Sequence, residues 1–219
     1  MQKRLKVLVG LECSGIIRDA FEAKGHDAWS CDLKPSERPG NHIQADIFTV
    51  LYEGWDLFIG HPVCKFLALS GSQWYWHPED KGLPKALRRP HPLYPDRRKA
   101  QQDGIDFFKK LWQANLPKIC LEHPKPLHSL VAQVANYTQI IQPWQFGDSF
   151  QKETCLWLKN LPRLKPTNIV DKGEFIITRG GKKLPKCYSD AKTSNKEKTQ
   201  SERSRTFPGI AKAMADSWG

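Results

Sequence analysis

The 219 residues carry a net charge of +11 at pH 7, and no stretch among them is long and apolar enough to cross a bilayer, which argues against a membrane protein and for a polyanionic partner such as nucleic acid. The six cysteines (Cys13, Cys31, Cys64, Cys120, Cys155, Cys187) form no Cys-x-x-Cys pair, so a disulfide framework and a structural zinc are both disfavoured. Reduced thiols in a cytosol fit better, and the first residues read as a strand rather than a leader.

Leu5 to Leu11 is almost continuously apolar, as a strand buried on both faces requires. Ile16, Ile17, Ala20 and Phe21 follow at helical spacing up to Gly25, and Asp27 to Cys31 reads as the next strand, ending at Asp32. A short extended segment from His42 leads to Asp46, and Trp55 to Gly60 is a further strand. Residues 71 to 98 interrupt this alternation with five prolines, Trp74, Tyr75, Trp76 and Arg88, Arg89, Arg97 and Arg98, a loop whose length marks it as functional or disordered. A helix is expected from about Asp96 to Asn115, then a short strand from Lys118 to Glu122 and a helix near Pro126 to Ala135. Ile140 to Gln142 and Thr154 to Leu158 read as an antiparallel pair at the sheet edge. The pattern predicts a doubly wound, mostly parallel α/β sheet over residues 1–164. A small basic appendage follows over 165–205, with a hairpin from Phe175 turning through Arg179 to Lys182, and the last segment, 206–219, is a helix that packs back on the sheet domain.

Three segments carry chemistry. Leu11-Glu12-Cys13-Ser14-Gly15 joins the first strand to the first helix and places backbone N–H groups and a permissive glycine beside a ligand. It has neither the spaced glycines of a dinucleotide loop nor the P-loop pattern. Asp32 at the end of strand two suits a ribose diol, and Asp46 an adenine amino group, which together fit an adenosyl ligand without a pyrophosphate. In Gly60-His61-Pro62-Val63-Cys64 a thiol follows a buried strand at the carboxyl edge of the sheet, where open α/β folds do their chemistry. In Cys120-Leu121-Glu122-His123-Pro124 an acid ends an apolar strand, a costly placement unless the carboxylate is paired or used. His61-x-x-Cys64 is a single metal-like spacing, and no metal is expected.

In this order the segments resemble the cytosine-C5 DNA methyltransferases, most closely the short phage-type members, over roughly residues 5 to 160 with a weaker echo in Arg203 to Gly209. The resemblance implies a Rossmann-like fold of the S-adenosylmethionine-dependent type. It implies that S-adenosylmethionine is held by Leu11, Glu12, Ser14, Gly15, Asp32, Asp46 and Ile47, with Pro62 beside them. Cys64 would be the nucleophile that attacks C6 of cytosine, Glu122 the acid at N3, and Lys152 the positive charge beside them. DNA contacts are expected from Trp74, Trp76, Arg88, Arg89, Arg97, Arg98, Arg179 and Lys182, with the aromatic loop either covering the core or closing over DNA as a flap. Such a protein works in the cytoplasm, that of a bacterial host for a phage-borne chain. Three positions depart from the family pattern: Val63 replaces a proline, His123 an asparagine, and Gln151-Lys152-Glu153 stands for Gln-x-Arg. Two alternatives stay open, a catalytically silent DNA-binding relative and an enzyme that modifies a free cytidine nucleotide.

Overall fold

The computed structural model describes residues 3–177, 180–181, 183–185 and 206–219. Its centre is a seven-stranded sheet in the order β3-β2-β1-β4-β5-β7-β6. The strands are β1 (Lys6–Gly10), β2 (Asp27–Asp32), β3 (His42–Gln44), β4 (Leu57–Gly60), β5 (Lys118–Pro124), β6 (Gln139–Ile141) and β7 (Thr154–Lys159). β1 to β5 run parallel, and β7 runs against both β5 and β6. This is the doubly wound, mostly parallel sheet of the Rossmann-like type that the sequence predicts.

The apolar runs of β1 and β4 divide by parity between two cores, the reason they show no polar alternation. Val7, Val9, Leu57 and Ile59 pack with Ile17 and Phe21 of helix α1 (Ile16–Glu22) and with Ile210, Met214 and Trp218 of the last helix, α5 (Pro208–Trp218). Leu8, Phe58, Ile119 and Leu121 face the other way, against Ile47 of α2 (Ile47–Val50), Ile105, Phe108 and Leu111 of α3 (Arg97–Trp112) and Leu130 of α4 (His128–Gln133). Trp218 also donates its indole N–H to the Pro162 carbonyl at 3.0 Å.

The antiparallel pair expected at the sheet edge is present: β7 lies between β5 and β6, with Cys155, Leu156 and Trp157 fully buried, and short β6 is the outer strand. The apolar residues of this segment are what an interior position requires. The loop over 71–98 contains three short 3₁₀ turns, Leu69–Trp74, Pro78–Gly82 and Lys85–Leu87, and a bridge between Trp76 and Pro90. A separate two-stranded hairpin, β8 (Phe175–Ile177) with antiparallel β9 (Lys183–Pro185), occupies the expected place. Arg179, Lys182, Cys187 and the Arg203 to Arg205 part of the terminal motif lie outside the described residues.

Candidate active site

Strand register brings the predicted residues to one edge. Gly10 aligns with Cys31 and with Gly60, and Gly60 aligns with Leu121, so the residues that follow these strand ends share the carboxyl edge of the sheet. Gly10 and Gly60 are glycines for a packing reason: a Cβ on either would come within 2.6–2.9 Å of Ile47, Phe58 or Leu121. One step beyond Gly60 and Leu121, His61 and Glu122 fall side by side, and His61 Nδ1 lies 3.1 Å from Glu122 Oε2.

Cys64 follows three residues later, at the head of a tight turn whose Leu67 and Ala68 N–H groups both donate to the Cys64 carbonyl, at 3.0 and 2.9 Å. The turn is stitched to the segment after β5 by Leu69 N–H to Lys125 O at 2.9 Å and Leu127 N–H to Leu67 O at 2.7 Å. Val63, which stands where the family has a proline, is 64% exposed, so its side chain takes no part in the packing. The Cys64 turn and the Glu122 strand are therefore held as one unit by backbone bonds.

The charges in this corner are coupled. Burial, and after it the Glu122 charge, push the Cys64 thiol above its ordinary value, while Lys152 pulls it down. Burial would raise the Glu122 carboxyl, but the His61 hydrogen bond together with the Lys152, His61 and His123 charges holds it at about 2. Lys152 thus acts on both residues. It sits in the segment before β7, where its N–H donates to Gln142 Oε1 at 2.9 Å and its ammonium lies 5.9 Å from the Phe207 ring centre.

That ring was not singled out by sequence reasoning beyond its place in the terminal motif. Phe207 packs on Phe150 with centroids 4.8 Å apart, and the next turn is anchored by Gly209 N–H to Asp148 Oδ2 at 3.0 Å. A Cβ at Gly209 would run into the Phe146 carbonyl oxygen. We expect Gly209→Ala to cost about 1–3 kcal/mol through this overpacking and to shift the Lys152 segment. Chemical denaturation measures the first effect, and a slower alkylation of Cys64 in the folded variant the second.

The loop after β1 is built as a cradle with little side chain presented to a ligand. Leu11 (φ 63°) and Gly15 (φ 71°) take left-handed backbone conformations, and Leu11 and Glu12 donate their N–H groups to the Cys31 carbonyl at 2.7 and 3.3 Å. Buried Glu12 accepts from the Ser14 hydroxyl and, at 3.1 Å, from Gly15 N–H. Glu12 and Ser14 therefore shape the loop, leaving its backbone and the nearby acids to meet a ligand. Asp32 accepts from Lys34 N–H through Oδ1 alone at 2.9 Å, and Asp46 caps α2 by accepting from Phe48 N–H through Oδ1 at 2.8 Å. Each carboxylate keeps a second oxygen with no hydrogen bond among the described residues. Ile47, 2% exposed and packed in the core against Gly10, and Pro62, also buried, support the loop from within, so it is the loop backbone and the two acids that fit an adenosyl group with an amino-acid tail.

The residues expected to face DNA do not act as one surface. Arg97 is a correction: it is 6% exposed, donates to the Lys65 carbonyl at 2.8 Å and lies between the Phe66 and Tyr75 rings at 5.2 and 4.8 Å. Tyr75, also buried, donates its hydroxyl to the Phe66 carbonyl. An arginine at the start of α3 is used as a buttress under the Cys64 turn because its flat cation stacks on both rings at once. Arg97→Ala is expected to lower stability by about 2–4 kcal/mol and to loosen Cys64. Thermal unfolding and alkylation of Cys64 in the native variant check both.

Arg89 is exposed, yet its guanidinium is bonded to Asp80 at 2.7 and 3.0 Å and to Glu79 at 3.2 Å, so its charge is largely matched within the loop. Arg88 donates to the Leu83 and Lys81 carbonyls at 2.7 and 2.8 Å. Arg98 stays at the surface over the Trp76 ring, 5.1 Å from its centre, and Trp74 is 38% exposed while packing edge-on against His91 and Tyr94. His123 also lies away from the edge: its ring is buried with Phe108 and Trp157 on the opposite face from Glu122.

No family model matches the sequence, and no curated protein matches it. Among solved structures, the chain is similar to a protein described as a DNA modification methyltransferase encoded within an E. coli prophage. The identity is 12% and the TM-score 0.43, over 76% of this chain and 52% of that one. It is also similar to the Entamoeba histolytica methyltransferase EhMeth, at 11% identity and TM-score 0.43 over 89% of this chain and 61% of that one. A mutant of Spodoptera frugiperda DNMT2 follows at 15% identity and TM-score 0.37, over 77% and 56%. The chain thus spans between 52% and 61% of the length of these structures.

Proposed function

We propose that this chain is an S-adenosylmethionine-dependent enzyme that methylates C5 of cytosine in DNA through a covalent Cys64 adduct at C6. The observation that supports this most is the placement of Cys64, Glu122 and the Lys152 charge in one corner of the sheet edge that also carries the Leu11–Gly15 loop, Asp32 and Asp46. S-adenosylmethionine, which the loop backbone, Asp32 and Asp46 would hold above the buried Ile47 and Pro62, supplies an electrophilic methyl group when bound.

The chain's own residues do the rest. Cys64 attacks C6 as the thiolate, and the electron pair of the C5–C6 bond moves so that C5 becomes nucleophilic and negative charge develops on the N3 side. As that charge develops N3 takes up a proton from solvent, and the ionised Glu122 lies where it can accept a hydrogen bond from the N3–H so formed, which lowers the cost of the charge. Lys152 favours the thiolate. After C5 is methylated, a base takes the C5 proton, the C6–S bond breaks, and Cys64 leaves with the bonding pair.

The test is labelled-methyl transfer from S-adenosylmethionine to duplex DNA, single-stranded DNA and dCMP in parallel. Incorporation into DNA as 5-methylcytosine is the expected result. Binding of DNA without incorporation would identify a silent relative, and incorporation into dCMP alone would identify a nucleotide-modifying enzyme.

A further inference from the structure

The sequence singles out His61 only for its spacing from Cys64, and the reaction above does not use it. We propose that His61 is a positioning residue for Glu122: its Nδ1–H holds Oε2, so that Oε1 faces the pyrimidine and the proton shared with N3 rests on the ring. This inference rests on the function proposed above.

Geometry carries it. The parallel register of β4 and β5 sets residue 61 beside residue 122, and the side chains meet at 3.1 Å with the His61 and Glu122 side chains only 10% and 13% exposed. A carboxylate can only accept, so Nδ1 carries a hydrogen toward Glu122 whether the ring is neutral or charged. Nε2 is buried with no partner among the described residues. A ring whose second nitrogen is left unpaired in the interior costs stability, and among the described residues the side-chain hydrogen bond it makes is to the acid. His61 N–H also donates to Gly10 O at 3.1 Å, which ties this ring's backbone to the strand leading into the donor-binding loop.

Other groups around Glu122 do not substitute for it. Lys152 and His123 act through charge, the latter from the opposite face, and the thiols of Cys64, Cys120 and Cys155 feel the carboxylate without bonding it. His61 supplies the side-chain hydrogen bond that keeps the acid ionised, and an ionised acid is the weaker competitor for the N3 proton.

The test compares wild type, His61→Asn, which keeps an N–H donor, and His61→Phe, which keeps a ring without one. The Glu122 carboxyl is followed by 13C NMR titration of glutamate-labelled protein and assigned with Glu122→Gln. We expect the titration to move up by about one pH unit or more in His61→Phe and to stay near wild type in His61→Asn. In methyl transfer, His61→Phe is expected to lose about 10²-fold in kcat with little change in KM for the methyl donor, and His61→Asn to recover most of it. His61→Leu gives the same comparison if the phenylalanine variant does not fold. Identical Glu122 titrations in wild type and the apolar variant, or an equal loss of activity in His61→Asn, would overturn the proposal. A wild type that transfers no methyl group sinks the proposed function instead, while the titration still decides whether His61 controls Glu122.

Discussion

Cys64→Ala is expected to lose methyl transfer by about 10⁴-fold or more, because no other group in the corner can form the bond to C6 without which C5 is not nucleophilic. Binding of S-adenosylmethionine should be nearly unchanged, since the Leu11–Gly15 loop is shaped by Glu12, Ser14 and the Cys31 carbonyl rather than by the thiol. Stability should change little, because Cys64 is only partly buried. Isothermal titration with the methyl donor and a labelled-methyl assay on the same preparation separate the two effects. Loss of donor binding in the alanine variant would mean that Cys64 is structural.

Glu122→Gln is expected to move two measurements in opposite directions. The Glu122 charge, second to burial, raises the Cys64 thiol, so neutralising it lowers the thiol's pKa and speeds alkylation by iodoacetamide at near-neutral pH. Methyl transfer should fall by about 10²- to 10⁴-fold, because glutamine keeps the volume but carries no negative charge to stabilise a proton on N3. Lys152→Ala has the converse effect on the thiol: removing a charge that lowers the Cys64 pKa slows alkylation. In wild type the alkylation rate should keep rising with pH through the ordinary cysteine range, since the raised thiol is still protonated there. Slower alkylation in Glu122→Gln would contradict the electrostatic coupling on which the catalytic corner depends.

The central fold was legible because its strands are apolar on both faces and end at glycines or acids. Val7 to Val9 and Leu57 to Ile59 could be nothing else, and the parallel register that aligns Gly10, Cys31 and Gly60 follows from the alternation of strands with helices. The antiparallel pair at the sheet edge was legible too; which of its two strands lies inside was not, since that is set by the pairing of β7 with β5. Cys64 and Glu122 stood out as reactive groups at the ends of buried strands. Arg97 did not read as interior, because burial of an arginine depends on Phe66, Tyr75 and the Lys65 carbonyl closing around it, contacts with residues 22 to 32 positions earlier in the chain. His61 was visible only as half of a metal-like spacing. Its neighbour Glu122 lies on the adjacent strand, a relation that register creates and local sequence does not display.

The covalent step is tested most directly by intact-protein and peptide mass spectrometry after incubation with S-adenosylmethionine and DNA containing 5-fluorodeoxycytidine. Fluorine at C5 cannot depart as the proton does, so an enzyme that attacks C6 through sulfur is trapped after methyl transfer. The expected result is a methylated, DNA-linked peptide joined through Cys64, absent from Cys64→Ala. Methylation of ordinary cytosine DNA by Cys64→Ala, or a trapped link at any other residue, would contradict the assignment of Cys64 as the nucleophile.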